Sequence, residues 1–450
     1  MVNKTRHGKG WLKALAITVG SLLVLWLVLE TGLRIYVEAP LKTDFYSSIT
    51  GEAVQSRQKE VGVKVVAGPG WLHLGWIADP EKETYRIEKK NKDTWQMVEQ
   101  ARFGSCLLHY SGGQFRVWAV PDGGGPERVL GEIEEPLRKI ALPRAYKPVI
   151  DGPWQTLFQP RKYGYYINDH TVYRDAAGDW RLVGITDKSN GNYDNEKYFA
   201  VGVSRDFPPE GGMTEASPVA DFKELAWAPD VIVENGDYYI FWSPHRLERM
   251  ASPDGVNWGS RETVMPAPYH KFFRDGMVIR AAEGQWLLYT TAREGFFSQV
   301  DIYQSFNLRD WQYIRTALRS GWGSERNSPF ASTESPFVME YEGRYYLSLT
   351  YNNDTFFWNG ILLPFKIWLD RPSYNDTLVF GSDNPYDFGV YSGAGNAPTL
   401  VARLSAHAPE YVYVPEQDRW YITTCGWPWV STLTAGEAAV APLRWELVSK

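Results

Sequence analysis

The residues best suited to chemistry are three carboxylates that occupy one place in a repeated pattern. Asp169, Asp275 and Glu334 each begin an apolar stretch that continues through a turn to an aromatic residue. Paired carboxyl groups, one protonated and one ionised, can act as a general acid and a general base. Three nearby like charges repel one another and raise one another's pKa, which brings no structural benefit. The three carboxylates therefore favour an acid–base site over a purely structural role.

The repeated pattern has five copies. In four copies the first residue stands eleven positions before the aromatic residue, and in the fifth it stands thirteen positions before. The clearest copy runs from Trp227 through a turn at Asn235-Gly236 to a second stretch that opens with Tyr238, which is typical of two strands and a tight turn. Repeats of roughly 50 residues built only of short strands indicate a β-propeller with one four-stranded blade per repeat.

In such a propeller the first strand of each blade lines the central channel, so residues at one repeat position should converge at one end of it. Asp230 and Glu410 lie three positions further along and should face the opposite side of their strands. A structural role, such as beginning a strand or capping a turn, is sufficient for these two. The predicted ring at the channel consists of Asp169, Trp227, Asp275, Glu334 and His407.

Five short motifs, one per repeat, carry a resemblance to a known enzyme group. They are Asn168-Asp169-His170, Trp227-Ala-Pro-Asp230, Arg274-Asp275-Gly276, Glu334-Ser335-Pro336 and His407-Ala-Pro-Glu410. Their order, spacing and residue types resemble the five-bladed propeller glycoside hydrolases of families 43 and 32, over the C-terminal two thirds of the chain. The invertase-like group has Pro-Asn-Gly after its first Asp, where this chain has His170-Thr-Val, and neither group usually has Ser after the Glu. A related family of the same fold is the open alternative.

The resemblance implies a role for each carboxylate. Asp169 corresponds to the base, or to the nucleophile in an enzyme that retains the anomeric configuration. Asp275 corresponds to the residue that stabilises the transition state and tunes the pKa of the acid. Glu334 corresponds to the general acid, whose pKa neighbouring carboxylates would raise.

Five other residues are predicted to bind substrate. Trp227 offers a flat ring for stacking on a sugar, and Arg274 either contacts substrate or forms a salt bridge within its blade. Asn168 and His170 flank the predicted base. His407 resembles the blade-five histidine that in family 43 often lies beside a bound ion on the channel axis. No cofactor is predicted, and a structural cation near His407 is left open.

The N-terminal segment, residues 1–40, has the features of a membrane anchor. A basic flank precedes an apolar run that extends over residues 14–33, near the ~20 residues needed to span a bilayer. Because the basic residues stand before the run, the N-terminus should stay cytoplasmic and the rest should be periplasmic or extracellular. A cleavable signal peptide is the alternative.

The rest of the chain is predicted to be all-β. Residues 63–142 contain stretches with period-two alternation, which indicates a small β-sandwich, and their order resembles a fibronectin type III module. Residues 154–450 form the predicted propeller, and residues 143–160, with four prolines, the joint between the two domains. The predicted fold is therefore a five-bladed propeller preceded by a sandwich and one transmembrane helix.

Composition limits the partners. The net charge of −6 argues against nucleic acid, which requires a basic face. Aromatic residues make up 15% of the chain, and those not needed between blades are available to stack on sugars. The two cysteines, Cys106 and Cys425, lie in different segments and are weak support for a disulfide.

Together these features predict a membrane-anchored, exported glycoside hydrolase that acts on a poly- or oligosaccharide. Inversion is expected because His170-Thr171-Val172 continues as plain strand, which should place Asp169 deep enough to leave room for a water. Inverting enzymes need that room and separate their carboxyl groups by about 6.5–9.5 Å. The alternatives are a non-catalytic glycan-binding propeller, a scaffold for polysaccharide assembly, and an enzyme of the same fold that transfers glycosyl units.

Overall fold

The computed structural model describes residues 62–448 apart from 110–111, 137–141, 163, 189–194, 220–221, 271, 295–296, 321–331, 353–374, 392–398 and 427–433. The predicted anchor, residues 14–33, lies outside the described residues. Within the described part of the chain, no helix has the length and apolar character needed to cross a bilayer.

The first domain is a sandwich of two antiparallel sheets. One sheet has the order β1-β2-β5 and the other the order β4-β3-β6-β7. Alternate residues of β3 and β6, such as Tyr85, Ile87 and Phe115, are fully buried between the sheets, as the period-two pattern predicts. The strands are Lys64–Gly68 (β1), Trp71–Gly75 (β2), Glu83–Asn91 (β3), Thr94–Ala101 (β4), Ser105–Leu108 (β5), Gly113–Pro121 (β6) and Arg128–Glu135 (β7).

The second domain is a propeller of five sheets, and two strands, Tyr146–Ile150 (β8) and Gln155–Phe158 (β9), precede its first blade. Blade one consists of Asn168–Arg174 (β10), Trp180–Ile185 (β11), Phe199–Ser204 (β12) and Thr214–Val219 (β13). Blade two consists of Trp227–Glu234 (β14), Asp237–Ser243 (β15), Leu247–Ser252 (β16) and Glu262–Met265 (β17). Blade three begins with Arg274–Ala282 (β18), Gln285–Glu294 (β19), Phe297–Ser305 (β20) and Gln312–Ser320 (β21).

Blades four and five complete the ring. Blade four consists of Ser332–Tyr341 (β22), Arg344–Asn352 (β23), Asp376–Ser382 (β24) and Leu400–Ser405 (β26), while Gly389–Tyr391 (β25) pairs in parallel with β21 of blade three. Blade five contains Tyr411–Val414 (β27), a 3-10 turn at Pro415–Gln417, Arg419–Thr424 (β28) and Ala438–Leu447 (β29). The five-bladed propeller predicted from the repeats is confirmed.

Strand β8 closes the ring, because it forms the outer strand of blade five beside β29. Strand β9 pairs with the other half of β29. The last blade is thus built from both ends of the domain. The segment predicted to be a joint therefore belongs in part to the propeller, which begins at Tyr146 rather than at residue 154.

One residue near the start of each inner strand, and just before β27 in blade five, has a left-handed backbone conformation and is called the bulge residue. In the four blades whose ladders cover this point, the pairing with the second strand shifts register there. A bulge inserts one unpaired residue and re-aims the side chains beside it. The five bulge residues and their φ angles are Asp169 (30°), Ala228 (48°), Asp275 (56°), Ser335 (49°) and Ala408 (42°).

These bulges correct the predicted ring. Asp169 and Asp275 are bulge residues, but Trp227, Glu334 and His407 each stand one position before the bulge. The cause is turn length. The pairs Arg174–Trp180 and Val233–Tyr238 close turns that differ by one residue, so counting back from the aromatic shifts the register between blades.

The bulge also corrects the prediction of the side toward which two acidic residues face. Asp230 and Glu410 follow the bulge residue by two positions, and both line the central cavity together with Met277. The expectation that they face away from the ring is wrong, because the extra residue in the bulge restores their orientation toward the channel.

Side chains two positions after the bulge join neighbouring blades. Thr171 Oγ1 accepts a hydrogen bond from the Val231 N–H at 3.4 Å, linking blades one and two. The equivalent contacts of Asp230, Met277 and Glu410 lead to blades three, four and one. These are Val278 N–H to Asp230 Oδ2 at 2.8 Å, Val338 N–H to Met277 Sδ at 3.4 Å, and Val172 N–H to Glu410 Oε2 at 2.7 Å.

The sandwich packs against blades three and four. Gln304 Nε2 donates to the carbonyl oxygens of Trp76 at 2.9 Å and Gly104 at 2.7 Å. The ring of His73 stacks on Tyr386 with centroids 3.7 Å apart, and Trp71 shares an apolar cluster with residues of both blades. The two domains therefore share a core.

Candidate active site at the channel mouth

The three predicted carboxylates belong to one connected group of side chains. Ser335 Oγ donates to Asp169 Oδ1 at 2.6 Å, and the Ser335 N–H donates to Asp275 Oδ2 at 3.2 Å. Arg274 donates to Glu334 Oε1, and its guanidinium lies 3.6 Å from Asp275 Oδ2. The carboxylates are 8%, 2% and 4% exposed in chain order. Blades one, three and four thus bring together the residues that the sequence predicted.

The bulges hold two of these carboxylates in place. Asp is one of the few residues with a side chain that tolerates left-handed φ, which suits the bulge positions of Asp169 and Asp275. The Asp275 N–H donates to Ser243 Oγ at 2.9 Å, and Thr291 Oγ1 donates to Asp275 Oδ2 at 3.1 Å. Asp275 is therefore fixed at both its backbone and its side chain.

Burial dominates the electrostatics of the two aspartates. It raises the pKa of Asp169 well above the ordinary value, and the charges of Asp275 and Glu334 add to this effect. Burial also raises the pKa of Asp275, against the opposing charge of Arg274. Carboxyl groups with raised pKa values, clustered at the mouth of a cavity, are what acid–base chemistry requires.

A cavity of about 40 Å³ lies beneath these groups, which is room for ordered water. Asp230 and Glu410 line it, and the sequence did not identify either as a site residue. Burial raises the pKa of Asp230 to about 7. Burial, with the charge of Asp230, raises the pKa of Glu410 well above its usual range. The signal that could have revealed them is the acid that closes both Ala-Pro motifs.

The residues that flank the predicted base are held by contacts with blade five. Asn168 Oδ1 is 2.9 Å from His407 Nε2, and His407 has no exposed surface. His170 Nε2 is 2.7 Å from Thr423 Oγ1 of blade five, and burial lowers the pKa of His170 to about 3. These contacts tie the Asp169 segment to blade five. The structure gives Asn168 and His407 a supporting position rather than an open face for substrate.

The surroundings of His407 do not fit a metal site. Its Nε2 faces an amide oxygen, and among the residues that the structure describes no group of three or more His, Cys, Asp or Glu is arranged to hold an ion. The two cysteines are free, with Cys106 in the sandwich core and Cys425 beside Asp169. Burial raises the pKa of the Cys425 thiol well above its usual value.

Trp227 and Arg274 occupy different surroundings, since Trp227 packs against the apolar core of blades one and two whereas Arg274 contacts the carboxylates. Trp227 is half-buried at the start of blade two. Arg274 forms the predicted salt bridge within its blade, to Asp275, and a second one that crosses to Glu334 in blade four. Arg274 and Arg293 both stack on the ring of Phe272, at 5.5 and 4.9 Å from its centroid. An aromatic ring and two cationic groups therefore lie together beside Asp275 and Glu334.

No model of a protein family matches the chain, and no curated protein matches it by sequence. Solved structures do match. A thermostable family 43 glycoside hydrolase covers 64% of this chain and 92% of its own, at 16% identity and a TM-score of 0.46. A family 32 β-fructofuranosidase of Bombyx mori covers 63% and 62%, at 13% identity and a TM-score of 0.44.

A third similar structure is an α-L-arabinofuranosidase of Podospora anserina, which covers 67% of this chain and 98% of its own, at 14% identity and a TM-score of 0.44. Families 43 and 32 are the two that the sequence motifs resemble.

Proposed function

We propose that the chain is a glycoside hydrolase whose site lies at the channel mouth. The observation that carries this proposal is the connected group in which Ser335 bridges Asp169 and Asp275 while Arg274 bridges Asp275 and Glu334. Two carboxyl groups on opposite sides of a sugar are the minimum that glycoside hydrolysis needs. Here three carboxylates from three blades are joined by Ser335 and Arg274, and two of them, Asp169 and Asp275, line one cavity.

In this proposal Asp169 is the base and Glu334 is the general acid. Asp275 binds the sugar, and its negative charge acts on both Asp169 and Glu334. A general acid must carry a proton, whereas Arg274 now donates to the Glu334 carboxylate. Substrate binding must therefore release this contact, so that the leaving oxygen can take the place of the guanidinium.

The test is hydrolysis by the purified full chain in detergent, on pentofuranosides, fructans and envelope polysaccharide. We expect Asp169→Asn and Glu334→Gln to lose on the order of 10²–10⁴-fold in kcat/KM. Glu340→Gln, an exposed residue of the same inner strand as Glu334, is the matched control and should keep full activity. Glycan binding without turnover would instead support the non-catalytic alternative.

We further propose that hydrolysis inverts the anomeric configuration. Asp169 is only 8% exposed and accepts a hydrogen bond from Ser335, which supports the deep position on which the expectation of inversion rests. Proton NMR should show the opposite anomer as the first product. Release of the substrate's own anomer would contradict inversion.

Two proposals concern the other segments. Residues 14–33 anchor an exported protein, so a C-terminal reporter that works only in the cytoplasm should stay inactive.

The sandwich is a fibronectin type III module, supported by its strand orders β1-β2-β5 and β4-β3-β6-β7. A crystal structure with other strand orders would contradict that assignment.

A further inference from the structure

We propose that Ser335 is a positioning residue, which ties the carboxylate of Asp169 to that of Asp275 and so holds Asp169 in place as the base. This role depends on the proposed function. Ser335 is one residue past the predicted acid, and its residue type departs from what either resembled family usually has there.

The geometry is specific because one residue contacts both carboxylates through different groups. The hydroxyl of Ser335 reaches Asp169 at 2.6 Å, and its backbone N–H reaches Asp275 at 3.2 Å. A hydroxyl that donates to a carboxylate at this distance makes a charge-assisted bond, which is stronger than a neutral one. Ser335 therefore joins blade four to blades one and three at the point where the chemistry would occur.

The equivalent positions in the other four blades show whether the hydroxyl of Ser335 is needed to form the bulge. At this position three blades carry Asp169, Asp275 and Ser335, with Ser335 donating a hydrogen bond to each aspartate, and the other two carry Ala228 and Ala408. The backbone thus accommodates alanine at left-handed φ in two blades. A hydroxyl is not needed to form the bulge, so its presence in blade four requires another explanation.

The hydroxyl acts on the charged form of Asp169. Burial raises the pKa of Asp169, and the hydrogen bond from Ser335 opposes that rise. Without the bond the pKa of Asp169 should rise further, because a group that stabilises the carboxylate is lost. A base works only when ionised, so the acidic limb of the activity profile should move to higher pH.

The experiment compares the pH dependence of kcat/KM for the full chain and for Ser335→Ala and Ser335→Gly, on the glycoside that the wild type hydrolyses best. Both variants lack the hydroxyl, but glycine also relieves the left-handed backbone. Ala228→Gly, at the equivalent bulge of blade two, controls for changes in the backbone. We expect both Ser335 variants to move the acidic limb upward by about one pH unit, equivalent to about 1.4 kcal/mol, and the control to leave it in place.

An acidic limb that stays at the wild-type pH overturns the inference, even if kcat falls, because a merely structural role would lower activity without moving the limb. A wild type that hydrolyses no glycoside overturns the proposed function instead. Carbon-13 NMR of the aspartate carboxyl carbons then tests the link between Ser335 and Asp169. The signal of Asp169 is assigned by its loss in Asp169→Asn. An Asp169 titration that Ser335→Ala leaves unchanged overturns the link between the two residues, and an upward shift supports it.

Discussion

At the scale of residues, the carboxyl groups of the candidate site are buried, and a positive charge beside them opposes the effect of burial on their pKa values. Asp169 and Asp275 are both buried, and Arg274 is the cation that opposes the rise in pKa of each. The same guanidinium holds Glu334. One side chain thus opposes the effect of burial on the pKa of both aspartates and also forms an ion pair with the third carboxylate.

Replacing Arg274 should therefore disturb the whole group. Arg274→Ala removes the positive charge beside Asp275 and Glu334, so the pKa values of Asp169 and Asp275 should rise further and their ionised fractions at neutral pH should fall. We expect kcat/KM at pH 7 to fall on the order of 100-fold, with the acidic limb of the pH profile shifted upward. Arg280→Ala is the control, since that half-exposed residue lies in the same strand. Wild-type activity in Arg274→Ala would contradict this account.

The convergence of the three carboxylates could be predicted from the sequence, but the residues that hold them could not. Asp169, Asp275 and Glu334 could be found because their types recur in the repeat. Ser335 could not, because its role arises from contacts with residues 166 and 60 positions away in sequence. The burial of His407 likewise depends on blades closing around it.

At the scale of elements, the bulge at the start of each inner strand decides which side chains reach the channel. Alternation along a strand predicts opposite faces for residues three apart, which would turn Asp230 away from Trp227's side. A bulge of one residue cancels that prediction. Strand existence followed from the sequence, whereas register did not, because the turns differ in length by single residues.

The buried position of Asp230 predicts how stability depends on pH. Its folded pKa of about 7 lies above the ordinary 3.8, so the folded state holds a proton that the unfolded state has released. The contribution of Asp230 to stability should therefore be present near pH 4 and fall as the pH rises to about 7.

Thermal unfolding at pH 4 to 8 tests this. Asp230→Asn keeps an oxygen for the Val278 N–H and does not titrate, so its melting temperature should fall less between pH 4 and 7 than that of the wild type. Asp237→Asn, at the exposed turn of the same hairpin, is the control and should follow the wild type. Identical pH slopes in all three proteins would refute the prediction.

At the scale of the whole molecule, contacts between distant parts of the chain set the architecture. Strand β8 at the start of the propeller pairs with β29 at its end, and no local sequence pattern predicts that pairing. The sandwich was predictable as a separate unit from its alternation. Its shared core with blades three and four was not, because Trp71 and Tyr386 carry no signal of each other in sequence.

The domain interface should contribute measurably to stability. Gln304 is buried and bonds two carbonyl oxygens of the sandwich. Gln304→Ala leaves both without that donor, which should cost about 1–3 kcal/mol and lower the melting temperature. Gln96→Ala, on the exposed face of the sandwich, should leave the melting temperature unchanged. Equal melting temperatures for all three proteins would show that the interface adds little.

The assignment of Glu334 as general acid is tested most directly by the leaving group. A general acid matters when the departing oxygen is a poor leaving group, and it matters little when that oxygen is stable as an anion. The measurement is kcat/KM of Glu334→Gln relative to the wild type, on two aryl glycosides whose phenols differ widely in pKa. A loss of about 10²–10⁴-fold on the poor leaving group, with a far smaller loss on the activated one, is the predicted result. Equal losses on both substrates, or no loss on either, would contradict the account.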